Sequence, residues 1–242
     1  MKIRDCYWEK NNLGVSTAEI IVENDDVFDR LSFENINSDY EYKVVKVPEK
    51  KVDFNIGLAS LGYTFIETQI QYSMKVKVFD FQNRWLTRLE PYVQFEKVNT
   101  PNELNELLSR ITPEMFITDR ISLDPSFGPS IGCQRYKNWI LSEFDQKSSV
   151  IQKTFFKGEF VGFGMYKVKD RILHATLGGI FSDVNYPIGL LVPSNRLLQI
   201  KREGIDVDEI RTSVSSNNKP VWQLYNSLHF TNIGISYVFI KH

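Results

Sequence analysis

The most informative part of the sequence is Thr212-Ser-Val-Ser-Ser-Asn-Asn-Lys-Pro-Val-Trp-Gln-Leu-Tyr225-Asn-Ser-Leu-His-Phe230. A run typical of a β-strand stops at Asn218, and a short helix carrying Tyr225 follows, since Pro220 suits the first helical turn. Asn218 and Tyr225 lie seven residues apart, about two helical turns, so one ligand can contact both. Two structural alternatives remain: Asn218 only caps the helix, or Tyr225 only belongs to its buried stripe.

The elements before this stretch alternate in a defined order. Thr100-Pro-Asn-Glu103 predicts a helix that opens with a capping box, and Lys157-Gly158 and Lys169-Asp-Arg171 are typical of hairpin turns. The order predicted for residues 96–242 is ααβββαβαβ. Its members are helices from Thr100 to about Arg110 and from about Ile131 to Phe144, strands from Ser149 to Phe156, Glu159 to Lys167 and Ile172 to Phe181, a helix from about Ile188 to Arg202, a strand from Asp208 to Ser215, a helix from Pro220 to Leu228, and a strand from Gly234 to Lys241.

Residues 1–95 form a separate, smaller part of the predicted organisation. Tyr42 to Val47 and Tyr63 to Tyr72 read as strands, and Asp53 to Leu61 reads as a helix that Gly62 ends. We expect this β-α-β unit to form a parallel pair of strands joined by a right-handed crossover. The chain therefore divides near residue 95 into a β-α-β domain, 1–95, and a second domain, 96–242.

Composition excludes several classes of function. The net charge of -1 in 242 residues lacks the basic footprint of a nucleic-acid binder. No apolar run approaches the roughly 20 residues that cross a bilayer, and the start lacks a signal peptide, so we expect a cytoplasmic protein without a membrane partner. Cys6 and Cys133 are too few for a disulfide framework or a metal cluster, so we expect reduced thiols and no bound metal.

The spacing of Asn218, Tyr225 and Phe230, together with the element order, resembles the end of a GNAT-superfamily acyl-CoA N-acyltransferase domain. The resemblance implies an α/β (α+β) fold, with a central mixed, twisted sheet flanked by helices and preceded here by the β-α-β part. It also implies acetyl transfer from acetyl-CoA to a primary amine of a small molecule, by direct attack in a ternary complex. Asn218 would bind the pantetheine arm, and the Tyr225 hydroxyl would protonate the departing CoA thiolate as general acid.

In such a fold, the strand ending near Phe181 splays from the strand ending near Ser215 and leaves backbone groups free for the pantetheine arm. Gly179, Ile180 and Phe181 lie at that point, with the amide of Ile180 predicted to hold the thioester carbonyl. The paired glycines permit an irregular strand and close approach of a ligand. The alternative is that Gly178 and Gly179 only relieve crowding in a twisted strand.

The loop that holds the CoA pyrophosphate departs from the superfamily pattern. The corresponding hexad is Val184-Asn-Tyr-Pro187-Ile-Gly189, in which Val replaces a basic or amide residue and Pro replaces a Gly. Pro187 has no N–H to donate, so Ile188, Gly189 and Leu190 are the predicted contacts. Pro193 is expected to disturb the helix, and His229 replaces the usual Gly before Phe230. A catalytically degenerate GNAT-fold binding or scaffold protein is therefore the alternative function.

Several further segments resemble the two-part dTDP-fucosamine acetyltransferase group, which acetylates the amine of a nucleotide-linked aminodeoxysugar. The resemblance implies that Asp119, Arg120 and Asp124 border the acceptor cleft, although a solvated loop is the alternative. A shared sheet edge would suit a homodimer. The segments are Trp8-Glu9, Gly14-Val15, Lys46 to Tyr63, Asp119-Arg-Ile-Ser-Leu-Asp-Pro-Ser-Phe127 and Tyr136-Lys-Asn-Trp139.

Overall fold

The computed structural model describes residues 1–184, 189 and 191–242. Its strands are β1 (Lys2–Asp5), β2 (Thr17–Ile21), β3 (Tyr42–Pro48), β4 (Thr64–Lys75), β5 (Val93–Lys97), β6 (Val150–Phe156), β7 (Glu159–Lys169), β8 (Ile172–Ile180), β9 (Glu209–Ser215) and β10 (Thr231–Lys241). Its helices are α1 (Glu9–Leu13), α2 (Arg30–Asp39), α3 (Val52–Ser60), α4 (Arg84–Leu89), α5 (Pro101–Ser109), α6 (Arg120–Leu123), α7 (Gly128–Asp145), α8 (Leu191–Glu203) and α9 (Lys219–Ser227).

These strands form one mixed sheet in the order β1-β2-β3-β10-β4-β9-β8-β7-β6-β5. The β2–β3 and β8–β9 pairs are parallel, and the other neighbours are antiparallel. The mixed sheet confirms the predicted fold class. The predicted parallel pairing of β3 with β4 is wrong, because β10 lies between them and pairs with both. The parallel neighbour of β3 is instead β2.

Local signals explain why many elements begin and end as predicted. The capping box is present: the Thr100 hydroxyl accepts from the Glu103 amide at 3.3 Å, and the Glu103 carboxylate accepts from the Thr100 amide at 2.9 Å. Gly62 follows α3 with a left-handed φ of 79°, which glycine adopts without steric cost. Lys157 and Gly158 also have positive φ, as the tight hairpin between β6 and β7 requires.

The sequence prediction missed β1, α1, α2, α4, β5 and α6. The N-cap of α2 is Asp29, whose carboxylate accepts from the amides of Leu31 at 3.3 Å and Ser32 at 3.2 Å. An Asp before a helix is a recognisable start signal, so α2 was predictable. The domain boundary predicted near residue 95 lies inside β5, which pairs with β6.

Helices cover both faces of the sheet. Around β2, β3 and β10, α2 and α3 bury a cluster that includes Phe33 and Phe54, while Tyr42 and Val44 face α6 and the segment before α7. Farther along the sheet, α8 and α9 cover one face and α5 and α7 the other. None of the helices in the described ranges is both long and apolar enough to span a bilayer.

Candidate active site

A gap opens in the sheet between β8 and β9. The two parallel strands pair only over Ile172–His174 and Glu209–Arg211. Beyond His174, β8 continues along β7, while β9 continues along β4. From Ala175 to Ile180, β8 therefore has no described strand on its second edge. The Ala175 carbonyl accepts from the Thr212 hydroxyl at 3.0 Å, and the later backbone groups on that edge face the gap.

The irregularity that accompanies the gap lies at Thr176. The register of β7 against β8 shifts there, from Tyr166–Ala175 to Met165–Leu177, which leaves Thr176 as the extra residue of a bulge. Its hydroxyl donates to the carbonyl of Met165 at 3.1 Å. The bulge lies just before the paired glycines, since Gly178 and Gly179 remain in register opposite Gly164 and Phe163.

A cavity of about 430 Å³ occupies this gap and is lined from both faces of the sheet. On the α7 side its walls include aromatic and polar side chains, and on the other side they come from α8 and α9. Its lining includes Asp119, Tyr136, Trp139, Gly179, Ile180, Gly189, Asn195, Arg196, Ser215, Asn218 and Tyr225. The fold thus places Asn218 and Tyr225 on the same cavity as Gly179 and Ile180.

Tyr225 lies at the wall that α9 contributes and is 6% exposed. Its ring stacks on Tyr72 with centroids 5.5 Å apart and meets the edge of Phe230 at 4.9 Å. The predicted alternative, a place in the buried stripe of the helix, is thus also fulfilled. Burial raises the pKa of the Tyr225 hydroxyl, opposed by a hydrogen bond with Thr212 and by the charge of Arg196. The hydroxyl therefore remains protonated at neutral pH.

Asn218 is the N-cap of α9, as its structural alternative predicts. Its Oδ1 accepts from the Val221 amide at 3.4 Å. The Asn218 Nδ2 makes no hydrogen bond to another described residue, so it is available to a group in the cavity. A capping role and a ligand role are compatible at this residue.

The three predicted acceptor residues have different surroundings. Asp119 lines the cavity and caps α6, accepting from the Ile121 amide at 2.9 Å. Arg120 points away from the cavity lining towards the buried Glu9, at 3.6 Å. Asp124 is 2% exposed, also lies outside the lining, and faces Nε2 of His242 at 2.9 Å. Of the three, the structure brings only Asp119 to the cavity.

The predicted cofactor residues also divide between cavity and core. Phe181 does not line the cavity: it packs against Phe160, with centroids 4.9 Å apart, and under the Arg110 guanidinium at 4.4 Å. Gly189 lines the cavity, whereas Ile188 and Leu190 lie outside the described residues, as does Pro187.

Pro193 lies in the first described turn of α8, which continues to Glu203. The residue before Leu191 is outside the described ranges, so the expected effect of Pro193 on the helix stays a prediction.

Sequence reasoning missed two buried charged residues near the cavity, Glu67 and Arg196. Glu67 is 2% exposed on β4, where alternation with Gln69 and Gln71 suggests a solvent-facing row. Its carboxylate accepts from Gln69 at 3.1 Å and shares a hydrogen bond with Ser215, which lines the cavity. Burial raises the pKa of Glu67, while the Ser215 hydrogen bond and the charge of Arg120 lower it. No local pattern distinguishes such a residue from a solvated one.

Arg196 is 6% exposed and lies on the inner face of α8 beside the cavity. Burial lowers its pKa to about 10, so the guanidinium remains charged at neutral pH. Its helix also buries Ser194, Asn195 and Gln199. Polar residues on an inward face reverse the usual amphipathic pattern, and this reversal is visible only once the helix is packed.

Comparison with solved structures shows which fold this is. One similar structure is a functionally unknown conserved protein from Staphylococcus epidermidis, with a TM-score of 0.63 and 12% identity, covering 93% of this chain and 84% of that chain. A tandem GNAT protein from the clavulanic acid biosynthesis pathway has a TM-score of 0.59 and 11% identity, over 93% and 74%. A GCN5-related N-acetyltransferase from Kribbella flavida has a TM-score of 0.57 and 12% identity, over 93% and 81%.

No family model matches the sequence, and no curated protein is significantly similar to it. At 11–12% identity, the similar structures establish architecture rather than activity. Their coverage of 93% of this chain includes both the β-α-β part and the part that carries the gap. The chain therefore has the GNAT fold.

Proposed function

We propose that the protein is an acyl-CoA-dependent N-acyltransferase that transfers an acyl group to a primary amine. The observation that carries this proposal is the gap between β8 and β9, where Ile180, Asn218 and Tyr225 line one cavity. Similar structures that are described as N-acetyltransferases support the same reaction class. Acetyl-CoA is the first donor to test.

The residues at the gap suit a pantetheine arm. The arm carries amide groups, and the unpaired edge of β8 from Ala175 to Ile180 offers backbone donors and acceptors, as a sheet edge does for an added strand. The Asn218 Nδ2 adds a donor from the start of α9. Gly189, which lines the cavity just before α8, borders the end where the nucleotide portion would lie.

Two groups of the chain act on the transferred acyl group in this proposal. When bound, the thioester supplies a carbonyl carbon open to attack and a thiolate leaving group. The Ile180 amide polarises the carbonyl oxygen by donating to it. Tyr225, protonated because burial raises its pKa, donates its proton to the leaving sulfur.

The incoming amine must be neutral and must lose a proton after it attacks. Glu67 and Ser215 form a path for that proton, since Ser215 lines the cavity and is hydrogen-bonded to the buried Glu67. The raised pKa of Glu67 brings this carboxylate closer to the range of a useful base. Glu67 acts through the Ser215 hydroxyl, because it does not itself line the cavity.

A nucleotide-linked aminosugar is the acceptor that we propose. On the α7 side the cavity wall combines the carboxylate of Asp119 with the rings of Tyr136 and Trp139. Aromatic faces pack against flat or apolar ring surfaces, and a carboxylate accepts hydrogen bonds from sugar hydroxyls.

The Asp119→Asn variant is expected to raise KM for a nucleotide-linked aminosugar more than it lowers kcat.

The proposal is tested by acetyl-CoA binding and turnover. Thermal unfolding is measured with acetyl-CoA from micromolar to millimolar concentration, since a ligand of the folded state raises the melting temperature. Release of CoA is then followed with a panel of nucleotide-linked aminosugars, polyamines and amino acids. Absence of stabilisation by millimolar acetyl-CoA, butyryl-CoA and succinyl-CoA alike, together with no release of CoA, would overturn the proposal in favour of a binding or scaffold role.

A further inference from the structure

A buried polar cluster lies under β6 and β7 at the end of the cavity formed by α8. Arg196 Nη1 donates to Gln152 Oε1 at 2.7 Å and to Gln199 Oε1 at 3.0 Å, and its guanidinium lies 4.5 Å from the centroid of the Tyr166 ring. Next to it, Asn195 Nδ2 donates to the Thr154 hydroxyl at 3.1 Å. Arg196 and Asn195 are 6% and 4% exposed, and both line the cavity.

The cluster contains a cation without a matching anion. Among the described residues, no carboxylate contacts Arg196 directly; Glu203 is linked to it only through Gln199, whose Nε2 donates to Glu203 at 3.2 Å. The Nε and Nη2 groups of Arg196 have no hydrogen-bond acceptor in the described ranges. A buried cation that is not paired with an anion is unfavourable, so the arrangement favours an anionic ligand.

Arg196 and its neighbours in this cluster also include polar atoms without a partner. Within the described part of the chain, Gln152 Nε2, Ser194 Oγ and Asn195 Oδ1 are buried without a hydrogen bond. The Asn195 amide can turn over, so that Oδ1 accepts from the Thr154 hydroxyl and Nδ2 becomes the unpartnered, buried atom. An acceptor placed there would satisfy donors that the protein leaves unmatched.

The guanidinium lies below β7, the strand next to β8 on the side away from the gap. A Cβ atom at Gly164 would collide with Arg196 Nη2, so glycine at this position makes room for the cation. Gly164 is opposite Gly178 on β8, within the open-edged segment Ala175–Ile180. The cation is therefore next to the place where the acyl group lies in the proposed function.

We propose that Arg196, with Asn195, binds a carboxylate at the far end of the transferred acyl chain. This inference rests on the proposed function and narrows its donor to the CoA thioester of a dicarboxylic acid. The amine nitrogen forms a bond to the acyl carbon and loses a proton, the carbon–sulfur bond breaks, and the sulfur leaves as a thiol after taking a proton. The distal carboxylate is unchanged, and the product is an amide that carries a free carboxylate.

The test compares two donors that differ in this group alone. Succinyl-CoA and butyryl-CoA have acyl chains of equal length, but only the former ends in a carboxylate. We expect the wild-type protein to bind succinyl-CoA about 10- to 100-fold more tightly in calorimetry, the range for hydrogen bonds to a charged group. Malonyl-CoA and glutaryl-CoA bracket the chain length that the cavity accepts.

Substitutions in α8 test whether Arg196 causes the preference for succinyl-CoA over butyryl-CoA. Arg196→Met is expected to bring the two affinities within about threefold of each other, and Arg196→Lys to keep part of the preference because the charge remains. Arg202→Met is the matched control, since Arg202 on the same helix bonds the backbone carbonyl of Val93 at 2.6 Å outside the cavity lining. If Arg196→Met does not fold, the ratio of the wild-type affinities for succinyl-CoA and butyryl-CoA decides whether the carboxylate site exists.

The outcomes separate this inference from the function beneath it. Equal affinity of the wild-type protein for succinyl-CoA and butyryl-CoA, or a preference that Arg196→Met leaves unchanged, overturns the carboxylate site and leaves the acyltransferase proposal standing. Failure to bind acetyl-CoA, butyryl-CoA and succinyl-CoA alike overturns both.

Discussion

At the scale of single residues, Tyr225 combines a structural and a chemical position. Its ring packs between Tyr72 and Phe230, and its hydroxyl shares a hydrogen bond with Thr212 at the cavity. The raised pKa keeps the proton on this hydroxyl at neutral pH, so that it can be donated to the leaving sulfur as the carbon–sulfur bond breaks. Removing the hydroxyl should therefore affect the reaction much more than the packing.

We expect Tyr225→Phe to lower kcat about 10²- to 10⁴-fold, the usual range for losing a general acid, with little change in donor affinity or melting temperature. Steady-state kinetics measures kcat and the donor dependence of the rate, and thermal unfolding measures the melting temperature. Tyr72→Phe is the matched control, because Tyr72 stacks on Tyr225 but does not line the cavity. A Tyr225→Phe variant with full activity would remove the residue from the mechanism.

Glu67 predicts a pH dependence of both rate and stability. Its folded-state pKa is raised above 4.5 by burial, so this carboxyl favours the folded state most when protonated, and that contribution is lost as pH rises through the folded pKa. Glu67→Gln should therefore unfold at a higher urea concentration than wild type at pH 7.

If the Glu67 carboxylate accepts the amine's proton, the Glu67→Gln variant should also lose the acidic limb of the pH profile of kcat/KM. Profiles of the same shape in both proteins would exclude this role.

At the scale of elements, the end of α9 carries a conformation that its residue does not favour. His229 has a φ of 61°, in the left-handed region that glycine adopts freely. The turn, rather than any contact of the imidazole, explains why glycine is expected before Phe230. The presence of His229 in place of the usual glycine is therefore expected to lower the stability of the folded state.

We expect His229→Gly to leave stability unchanged or to raise it by up to about 1 kcal/mol, because relief of strain opposes the greater flexibility of glycine in the unfolded chain. His229→Val should lower it by at least about 1 kcal/mol, since a β-branched residue tolerates positive φ poorly. Urea denaturation of the two variants measures the difference. Equal stability of the valine and glycine variants would contradict this account of the turn.

The last turn of α7 is tied to the sheet through Glu143. Its carboxylate, 12% exposed, accepts from Ser149 at 2.7 Å, from Lys167 at 2.9 Å and from Trp139 Nε1 at 3.1 Å. Burial opposes ionisation, but the hydrogen bonds from Ser148, Lys167 and Ser149 outweigh it and lower the pKa to about 2. The charged form therefore stabilises the folded state above the ordinary pKa of this group.

Glu143→Gln is expected to lose on the order of 2 kcal/mol of unfolding free energy at pH 7. A depressed folded-state pKa means that this stabilisation disappears as pH falls from about 4.5 towards about 2, so the difference from wild type should shrink over that window. Urea denaturation at pH 7 and pH 3 measures the change. A constant difference between the two pH values would show that Glu143 acts through shape rather than charge.

The elements that could be predicted from the sequence are those whose signals are local. Thr100 and Glu103 mark a helix start, and Gly62 marks a helix end, because caps involve neighbouring residues only. The placement of β10 between β3 and β4 depends on pairings across most of the chain, which no local pattern encodes. The same limit applies to the site: Asn218 and Tyr225 share one helix, whereas Arg196 acquires its meaning only when α8 packs under β6 and β7.

At the scale of the whole molecule, the strand order connects the two predicted domains. Both neighbours of β10 and one neighbour of β9 belong to residues 1–95. Removing that part would leave two edges of β10 without partners and would detach it from β9, while residues 1–95 alone would lose the strand between β3 and β4. We infer from this strand order that neither part is an independent folding unit.

This inference predicts a single cooperative unfolding transition for the intact chain, with fluorescence and circular dichroism giving coincident midpoints. Fragments 1–97 and 98–242, divided just after β5, should each lack a cooperative transition, because each exposes apolar strands that the other covers. Mixing the two should restore the circular dichroism of the intact chain if pairing across the boundary drives folding. A cooperative transition in fragment 98–242 alone would instead show that the part carrying the gap between β8 and β9 folds by itself. Residues 1–97 would then pack against it without being needed for its folding.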